Sequence, residues 1–375
     1  MKINFVDLAR QNKRYQDDYL KIVSNLIKTA TFVGGFPVEQ FENNFAQFTG
    51  KKYCIGVNSG TDALFFALLA YGVGPGDEVI TAPNSYFSSA MVISLTGATP
   101  VFADVNPNTL TIDPIKIAQK ITSKTRAIIP VHLCGQPADL DEIISIAQKN
   151  KLFIIEDCCQ AHGALYNGKK VPITETGAFS FYPGKNLGSF GDGGALVTNN
   201  KIIAEKVRLL RNDGSREKYK HELFGYKSRL DTLQAAILSY KLTHLTHWNS
   251  KRRAHAQLYR KLLSKIPQIQ TPEEAGYAYH VYHLYIIETP RRNELQDFLA
   301  KKDITTVIHY PTPIHLQKPY RQLGYKPGDF PITEEKAKRI LSLPMFPELT
   351  EKEIRYIVTA IRDFTAKSFH ILKQT

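Results

Sequence analysis

Lys185 is the residue in this chain best placed to act as a nucleophile. It stands in GAFSFYPGKNLGSFGDGGALVTN, residues 177–199, between strands expected at 178–182 and 195–199. Glycines and small residues around it permit backbone conformations and close approaches that larger side chains forbid. An amine presented from such a loop can capture an electrophile once partial burial lowers its pKa. Two further features could work beside it. Asp157 follows Glu156 at the end of the apolar run LFII, and a carboxylate beside such a strand needs a partner. Ser59, Gly60 and Thr61 precede a helix expected to begin at Asp62, where first-turn amides point outward and suit a phosphate. Taken singly, each has a plainer explanation: a surface lysine in a turn, a solvent-facing or capping carboxylate, an ordinary capped helix.

The elements that would bring these groups together alternate along the chain. Helical spacing marks the first thirty or so residues, followed by a Gly34-Gly35 hinge and a helix with Pro37 near its start and Gly50 at its end. A strand through Val57 comes next. EVITAP, TPVFADV, RAIIPVHL and LFIIED then read as strands, with SSAMVISLTG, DPIKIAQKI and DLDEIISIAQKN as helices between them. This alternation of Ile/Val-rich strands and helices predicts a parallel sheet buried on both faces. Ligands of such sheets sit at the carboxyl ends of the strands, which here means residues 58–62, 84–87, 132–136 and 157–162. After the Lys185 loop come a helix in KIIAEKVRLLRNDG, a loop, a long helix and a basic helical stretch at 248–259. A different pattern of short strands and helices follows. The expected division is a large domain, 1–250, and a smaller C-terminal α/β domain, 251–375.

Composition narrows the function classes. The 375 residues carry a net charge of +13, but the Lys and Arg are scattered and no helix-turn-helix, zinc or RNA-recognition motif accompanies them. Nucleic acid is therefore not the expected partner, and an anionic small molecule suits dispersed basicity at least as well. No apolar run approaches a membrane span and the N-terminus lacks a signal-peptide stretch, so the expected location is cytoplasmic, with no membrane partner. Cys54, Cys134, Cys158 and Cys159 lack metal-ligand spacing and read as small buried residues; no metal is expected. The G-x-G-x-x-G of a nicotinamide-binding sheet is missing, since NSGTDA does not fit it.

Together, Asp157, Lys185 and the Gly60-Thr61-Asp62 helix start resemble the site of a fold-type-I aminotransferase that uses pyridoxal 5'-phosphate. More narrowly, the chain resembles the DegT/DnrJ/EryC1/StrS family of nucleotide-sugar aminotransferases. Nine segments carry the resemblance in family order: VNSGTDAL, GPGDEVITAP, GATPVFADV, VHLCGQPADLD, IIEDCCQAHGA, FSFYPGKNLGSFGDGGALVTN, GYKSRLDTLQAAIL, HYPTPIHLQKPY and ILSLPMFPELT. The resemblance implies a mostly parallel seven-stranded sheet with helices on both faces and a smaller C-terminal α/β domain. It implies that Lys185 forms the Schiff base and carries the proton, that Asp157 pairs with the pyridine nitrogen, and that Gln160 lies near the ring hydroxyl. Tyr86 would cover the pyridine face, and Gly60, Thr61, Asp62 and Ser180 would hold the phosphate. Asn186, His309, Tyr310 and His315 are candidate substrate contacts, with a rigid proline-held loop as the plain alternative for the last three. His132 and His162 read as buried structural residues.

In the family each site lies at a homodimer interface, and the GYKSRLD segment of the neighbour reaches the phosphate. Many members have Asn where this chain has Lys227, and an ammonium can replace an amide there. Cys134 replaces a common tyrosine, a departure in the pocket wall. The 3-dehydratase branch has histidine at the Schiff-base position, so the lysine here implies aminotransfer, with pyridoxamine phosphate as the intermediate form. The implied donor is L-glutamate and the implied acceptor a nucleotide-linked keto-deoxysugar, closest in look to dTDP-3-keto-6-deoxyhexoses. Amination at C4 of a UDP- or GDP-sugar is the alternative. A non-catalytic regulatory paralogue is a third, opposed by the intact Lys185, Asp157 and Ser180.

Overall fold

Runs of Ile, Val and Ala build strands that bury both faces, and helices cover them. The computed structural model describes residues 1–371, with side chains through residue 366. In chain order the strands begin with β1 (Tyr53–Val57), β2 (Glu78–Thr81), β3 (Thr99–Phe102), β4 (Thr125–Ile129) and β5 (Phe153–Asp157). A short hairpin, β6 (Leu165–Tyr166) and β7 (Lys169–Lys170), separates these from β8 (Thr176–Ser180) and β9 (Gly194–Thr198). All but the hairpin join in one seven-stranded sheet of order β1-β9-β8-β5-β4-β2-β3. Every pairing is parallel except those of β9, which runs antiparallel to both β1 and β8. This is the mostly parallel α/β sheet of the fold-type-I aminotransferases.

The register sets the site. Asp157 pairs with Ala178, and Ser180 pairs with Gly194, so the ends of β5 and β8 and the start of β9 share one edge of the sheet. The strands flanking the lysine loop lie slightly earlier than the sequence pattern predicts. The Phe181 N–H still bonds to the Gly193 carbonyl at 2.7 Å, but the Lys185 N–H turns back to the Tyr182 carbonyl at 2.9 Å, and the ladder stops.

Further on come β10 (Ser215–Glu217), β11 (Lys220–His221), β12 (Ala278–Tyr279), β13 (Tyr285–Glu288) and β14 (Ile340–Leu343). The last two pair antiparallel over a second core of Tyr259, Leu263, Tyr285, Leu341 and Ile357, which takes in Ile3 from the N-terminus. The long helix expected after residue 215 is Thr232–Leu242, and the basic helical stretch expected at 248–259 lies within a second helix, Leu245–Leu263. The second crosses position 250 without a break. Its Leu245 packs with Phe41 and Phe181 near the sheet, and its Tyr259 and Leu263 in the second core. The later chain also returns to the large layer. Strand β12 pairs with β6, and Ile314 packs on Ala90 and Phe102.

Candidate active site

The Gly60–Ala70 helix opens on Ser59, whose backbone is extended (φ −158°, ψ 161°) and whose Oγ accepts the Asp62 N–H at 3.1 Å. Such a cap contributes about 1 kcal/mol. The helix itself offers no acceptor to the preceding amides of Gly60 and Thr61. A Cβ built on Gly60 would lie 2.7 Å from both the Ser180 Cβ and the Cys159 Sγ, so the helix start, the end of β8 and the turn after β5 meet where only glycine fits. Ser180 Oγ accepts the Tyr182 N–H at 3.4 Å. Thr61 Oγ1 donates to Ser88 Oγ at 2.9 Å. The Asp62 carboxylate is engaged as a tether: Ser228 Oγ donates to it at 2.5 Å and accepts the Asn58 N–H at 3.2 Å.

At the end of β5, the Asp157 carboxylate is buried and accepts from Ser89 Oγ at 2.9 Å and from the Cys159 N–H at 3.1 Å. Ser85 Oγ lies 2.9 Å from Ser89 Oγ and extends the chain of hydroxyls. Gln160, also buried, accepts the Cys134 N–H at 2.7 Å and donates to the Tyr310 hydroxyl at 3.2 Å. Its amide therefore joins the β4–β5 side of the sheet to the C-terminal part of the chain.

Lys185 is half-buried, and burial holds its ammonium below the usual lysine range, opposed by Cys159, Asp157 and Cys134 nearby. Three buried or half-buried histidines feel the same lysine. Burial first, then the Lys185 charge, lowers His162 to about 3 and His309 to about 4, and drives His283 well below its usual value. All three stay neutral at physiological pH, so none adds a competing positive charge beside the amine.

Asn186, expected from the sequence as a substrate contact, is turned into the protein. It is buried; its Nδ2 donates to Asn249 Oδ1 at 2.9 Å and to the Val281 carbonyl at 3.1 Å, and its Oδ1 meets His283 Nδ1 at 3.3 Å. Asn249 in turn donates to the His162 carbonyl at 2.8 Å. His315, also expected as a substrate contact, is likewise turned inward. It is 1% exposed, its Nε2 pairs with Glu334 at 3.2 Å, and its ring lies 4.5 Å from that of Phe330, facing into a packed aromatic cluster. His309 bonds Ser342 Oγ through Nδ1 at 2.9 Å.

Tyr86 is 59% exposed, with its ring centroid 6.0 Å from that of Tyr310. The two frame an open cavity of about 380 Å³, walled also by Ser85, Pro311, Thr312 and Lys318. The loop that carries Tyr310 is anchored by the Ile314 N–H, which donates to the Pro83 carbonyl at 2.8 Å. Lys227 stands apart from all of this. It is exposed and tied only through a backbone bridge to Asn212, while Ser228 beside it turns inward.

The remaining carboxylate of the pair, Glu156, finds its partner in His132. His132 Nε2 lies 2.9 Å from Glu156, while His132 Nδ1 accepts the Ala138 N–H at 3.0 Å. Burial pushes the Glu156 carboxyl up, but hydrogen bonds from His132 and Thr174 outweigh it and leave the group below its usual range. Cys158 brings a third donor within 4.8 Å of these two, yet both ring nitrogens of His132 are already engaged, so the cluster is a buried hydrogen-bond network. All four cysteines are free.

Sequence reasoning missed Ser88, Ser89, Ser228, Asn249 and His283. Ser88 and Ser89 open the Ser88–Leu95 helix and Ser85 stands three residues before it, so no helical spacing marks the hydroxyls. Asn249 and His283 come from distant segments, and no local pattern points to them.

The profile of the DegT/DnrJ/EryC1/StrS aminotransferase family matches residues 13–362. A pleiotropic regulatory protein of Geobacillus stearothermophilus is 46% identical over 367 residues, 97% of this chain and 99% of that one. The dTDP-3-amino-3,6-dideoxy-alpha-D-galactopyranose transaminase of Aneurinibacillus thermoaerophilus is 45% identical over 363 residues, 96% of this chain and 99% of that one. The structure of S. venezuelae DesV in complex with a ketimine intermediate superposes with a TM-score of 0.95 at 41% identity, covering 97% of this chain and 98% of that one. The chain therefore belongs to the DegT/DnrJ/EryC1/StrS family of aminotransferases, enzymes that work with pyridoxal 5'-phosphate.

Proposed function

We propose that the protein transfers an amino group from L-glutamate to the ketone of a nucleotide-linked sugar, a dTDP-3-keto-6-deoxyhexose, giving the 3-amino-3,6-dideoxy sugar for a surface polysaccharide such as lipopolysaccharide, or for a glycoside. The observation that carries this reading is the half-buried Lys185, its ammonium destabilised by burial, within electrostatic reach of a buried Asp157. The choice of sugar rests on similarity to the Aneurinibacillus 3-amino-sugar transaminase.

The residues present fit the cofactor. The Gly60 cradle admits no side chain, the Gly60 and Thr61 amides lack helical acceptors, and Ser180 closes the other side, so a phosphate would be held there. Asp62 would contribute less than the sequence implies, because Ser59 takes its amide and Ser228 its carboxylate. When bound, the cofactor supplies an electron sink to a substrate carbon losing a proton. Asp157, fixed by Ser89 and the Cys159 amide, would keep a ring nitrogen protonated. Gln160 holds Tyr310 and would border the ring hydroxyl, and Tyr86 would cover the ring face. Lys185, poor as an ammonium in this setting, is suited to take a proton from the amino donor and return it on the acceptor. The Tyr86–Tyr310 cavity is the proposed seat of the sugar.

The second site partner is proposed to be another copy of this chain. Phe224 is 100% exposed and Tyr219, Phe36 and Val33 are largely so, an apolar surface that pairing would cover. Lys227, exposed and three residues from Phe224 in the chain, would reach the partner's phosphate site. No helix among the described residues is long and apolar enough to cross a membrane, and we place the enzyme in the cytoplasm.

The test is a half-reaction. Protein loaded with pyridoxamine phosphate is offered dTDP-3-keto and UDP-4-keto sugars separately, and cofactor absorption is followed. Return with the dTDP sugar supports the reading. Return only with the UDP sugar moves the chemistry to C4, and no return with either favours the regulatory role named for the Geobacillus relative.

A further inference from the structure

Lys241 is a second buried lysine, on the far side of the Lys185 loop. It lies in the Thr232–Leu242 helix, is 2% exposed, and has no carboxylate partner among the described residues. Its Nζ donates to the Gly188 carbonyl at 2.7 Å. The ammonium sits 4.7 Å from the ring centroid of Phe190 and 5.7 Å from that of Tyr19. Seven residues earlier on the same helix face, Gln234 Oε1 accepts the Phe190 N–H at 2.8 Å.

The segment so gripped is the second half of the loop that begins at Lys185. Ser189 Oγ is within bonding distance of the Phe181 and Gly191 carbonyls, at 2.7 and 2.6 Å. A Cβ on Gly188 would stand 2.2 Å from the Pro183 carbonyl oxygen, so the chain folds tightly back on itself there. A buried charge without a counter-ion is costly, and burial lowers the Lys241 ammonium to about 8. The two aromatic faces offset only part of that cost. An apolar side chain of equal length would avoid that cost but leave the Gly188 carbonyl without its donor, so the cost of the lysine and its grip on the loop go together.

We propose that Lys241 is a positioning residue for catalysis: its bond to the Gly188 carbonyl fixes the loop from which Lys185 projects, and so the direction of the Lys185 amine. The proposal rests on Lys185 being the amine that engages the cofactor.

The experiment compares Lys241→Met, which keeps length and packing but loses the donor, with Lys241→Gln, which keeps a donor without charge, both as holoenzyme. Lys241→Met is expected to fold, melting somewhat below wild type because the Gly188 carbonyl loses its donor, and to bind cofactor with a shifted absorption maximum. Its kcat should fall by about ten- to a hundredfold with KM for both substrates unchanged, the scale of a misplaced reacting group. Lys241→Gln should recover part of the loss. Wild-type kcat and absorption in Lys241→Met overturn the proposal. So does failure of Lys241→Met and of Lys241→Leu to fold, which assigns Lys241 to stability. Lys185→Ala is run alongside. Unchanged cofactor absorption there is a failure of the Lys185 assignment itself and is distinct from either Lys241 result.

Discussion

The Lys185 loop and the segment 219–228 lie at opposite extremes of completeness. The loop is closed within one chain: Asn249 and the Val281 carbonyl hold Asn186, Lys241 holds Gly188, Gln234 holds Phe190, and Ser189 ties the ends together. The segment is half finished. Ser228 reaches inward to Asp62, but Lys227 is exposed and Phe224 is bare to solvent. A single chain can preorganise the amine, whereas the other segment presents surface whose energetic return requires a partner. Hydrogen bonds are concentrated around the amine, and the exposed segment is where the proposed second copy would dock.

Point substitutions break or sharpen this contrast. The largest effect is expected from Lys185→Ala, motivated by the buried amine: transfer falls to background and the visible-edge absorption of bound cofactor disappears. Persistence of that absorption would sink the assignment. Asp157→Asn, motivated by the Ser89 and Cys159 contacts, should leave cofactor bound while turnover drops by orders of magnitude. Near-normal rates would remove Asp157 from the mechanism.

The exposed segment should respond in assembly. Phe224→Asp is expected to yield monomers by light scattering, and Lys227→Ala to weaken cofactor binding by about tenfold or more, the value of a charge-assisted hydrogen bond. A fully active Phe224→Asp monomer would contradict the shared site. Gly194→Ala tests the floor of the site, since its Cβ would lie 2.2 Å from the Ser59 carbonyl carbon. Overpacking of about 1–3 kcal/mol should lower the urea midpoint, and an unchanged midpoint would mean the helix start can yield.

The smallest effect concerns acid. The Glu156 carboxyl is held below its ordinary range, so its contribution to stability is present above the usual carboxylate pKa and is lost as pH falls through the lower folded value. The gap in melting temperature between wild type and Glu156→Gln should therefore narrow from pH 7 towards pH 3. A gap independent of pH would show that the charge is not what stabilises the pair.

Much of this was legible in the sequence because it is local. The strand ends, the Ser59 cap and the lysine between two short strands all follow from periodicity and turn chemistry, and the family segments assign their order. Asn186 and His315 were not legible. Adjacency to Lys185, or to a proline-rich loop, says nothing about which way a side chain points. Asn249 and Glu334, which capture them, lie 63 and 19 residues away. Such long-range ties depend on tertiary packing, which no short window of sequence encodes.

The Tyr310 loop is held through its main chain at both ends, by Val307 on Ser342 and by Ile314 on Pro83, which suits the stretch between them to exchange. Ile314 docks on the end of β2 through its own main chain, so the bond does not depend on which side chains fill positions 310–313. A graft of those four residues from a relative with another sugar would arrive at the same mooring, with Asp157 and Lys185 undisturbed. On the proposed reading, in which the Tyr86–Tyr310 cavity seats the sugar, a chimaera assayed on both sugars would show how far selectivity can drift while the chemistry stands still.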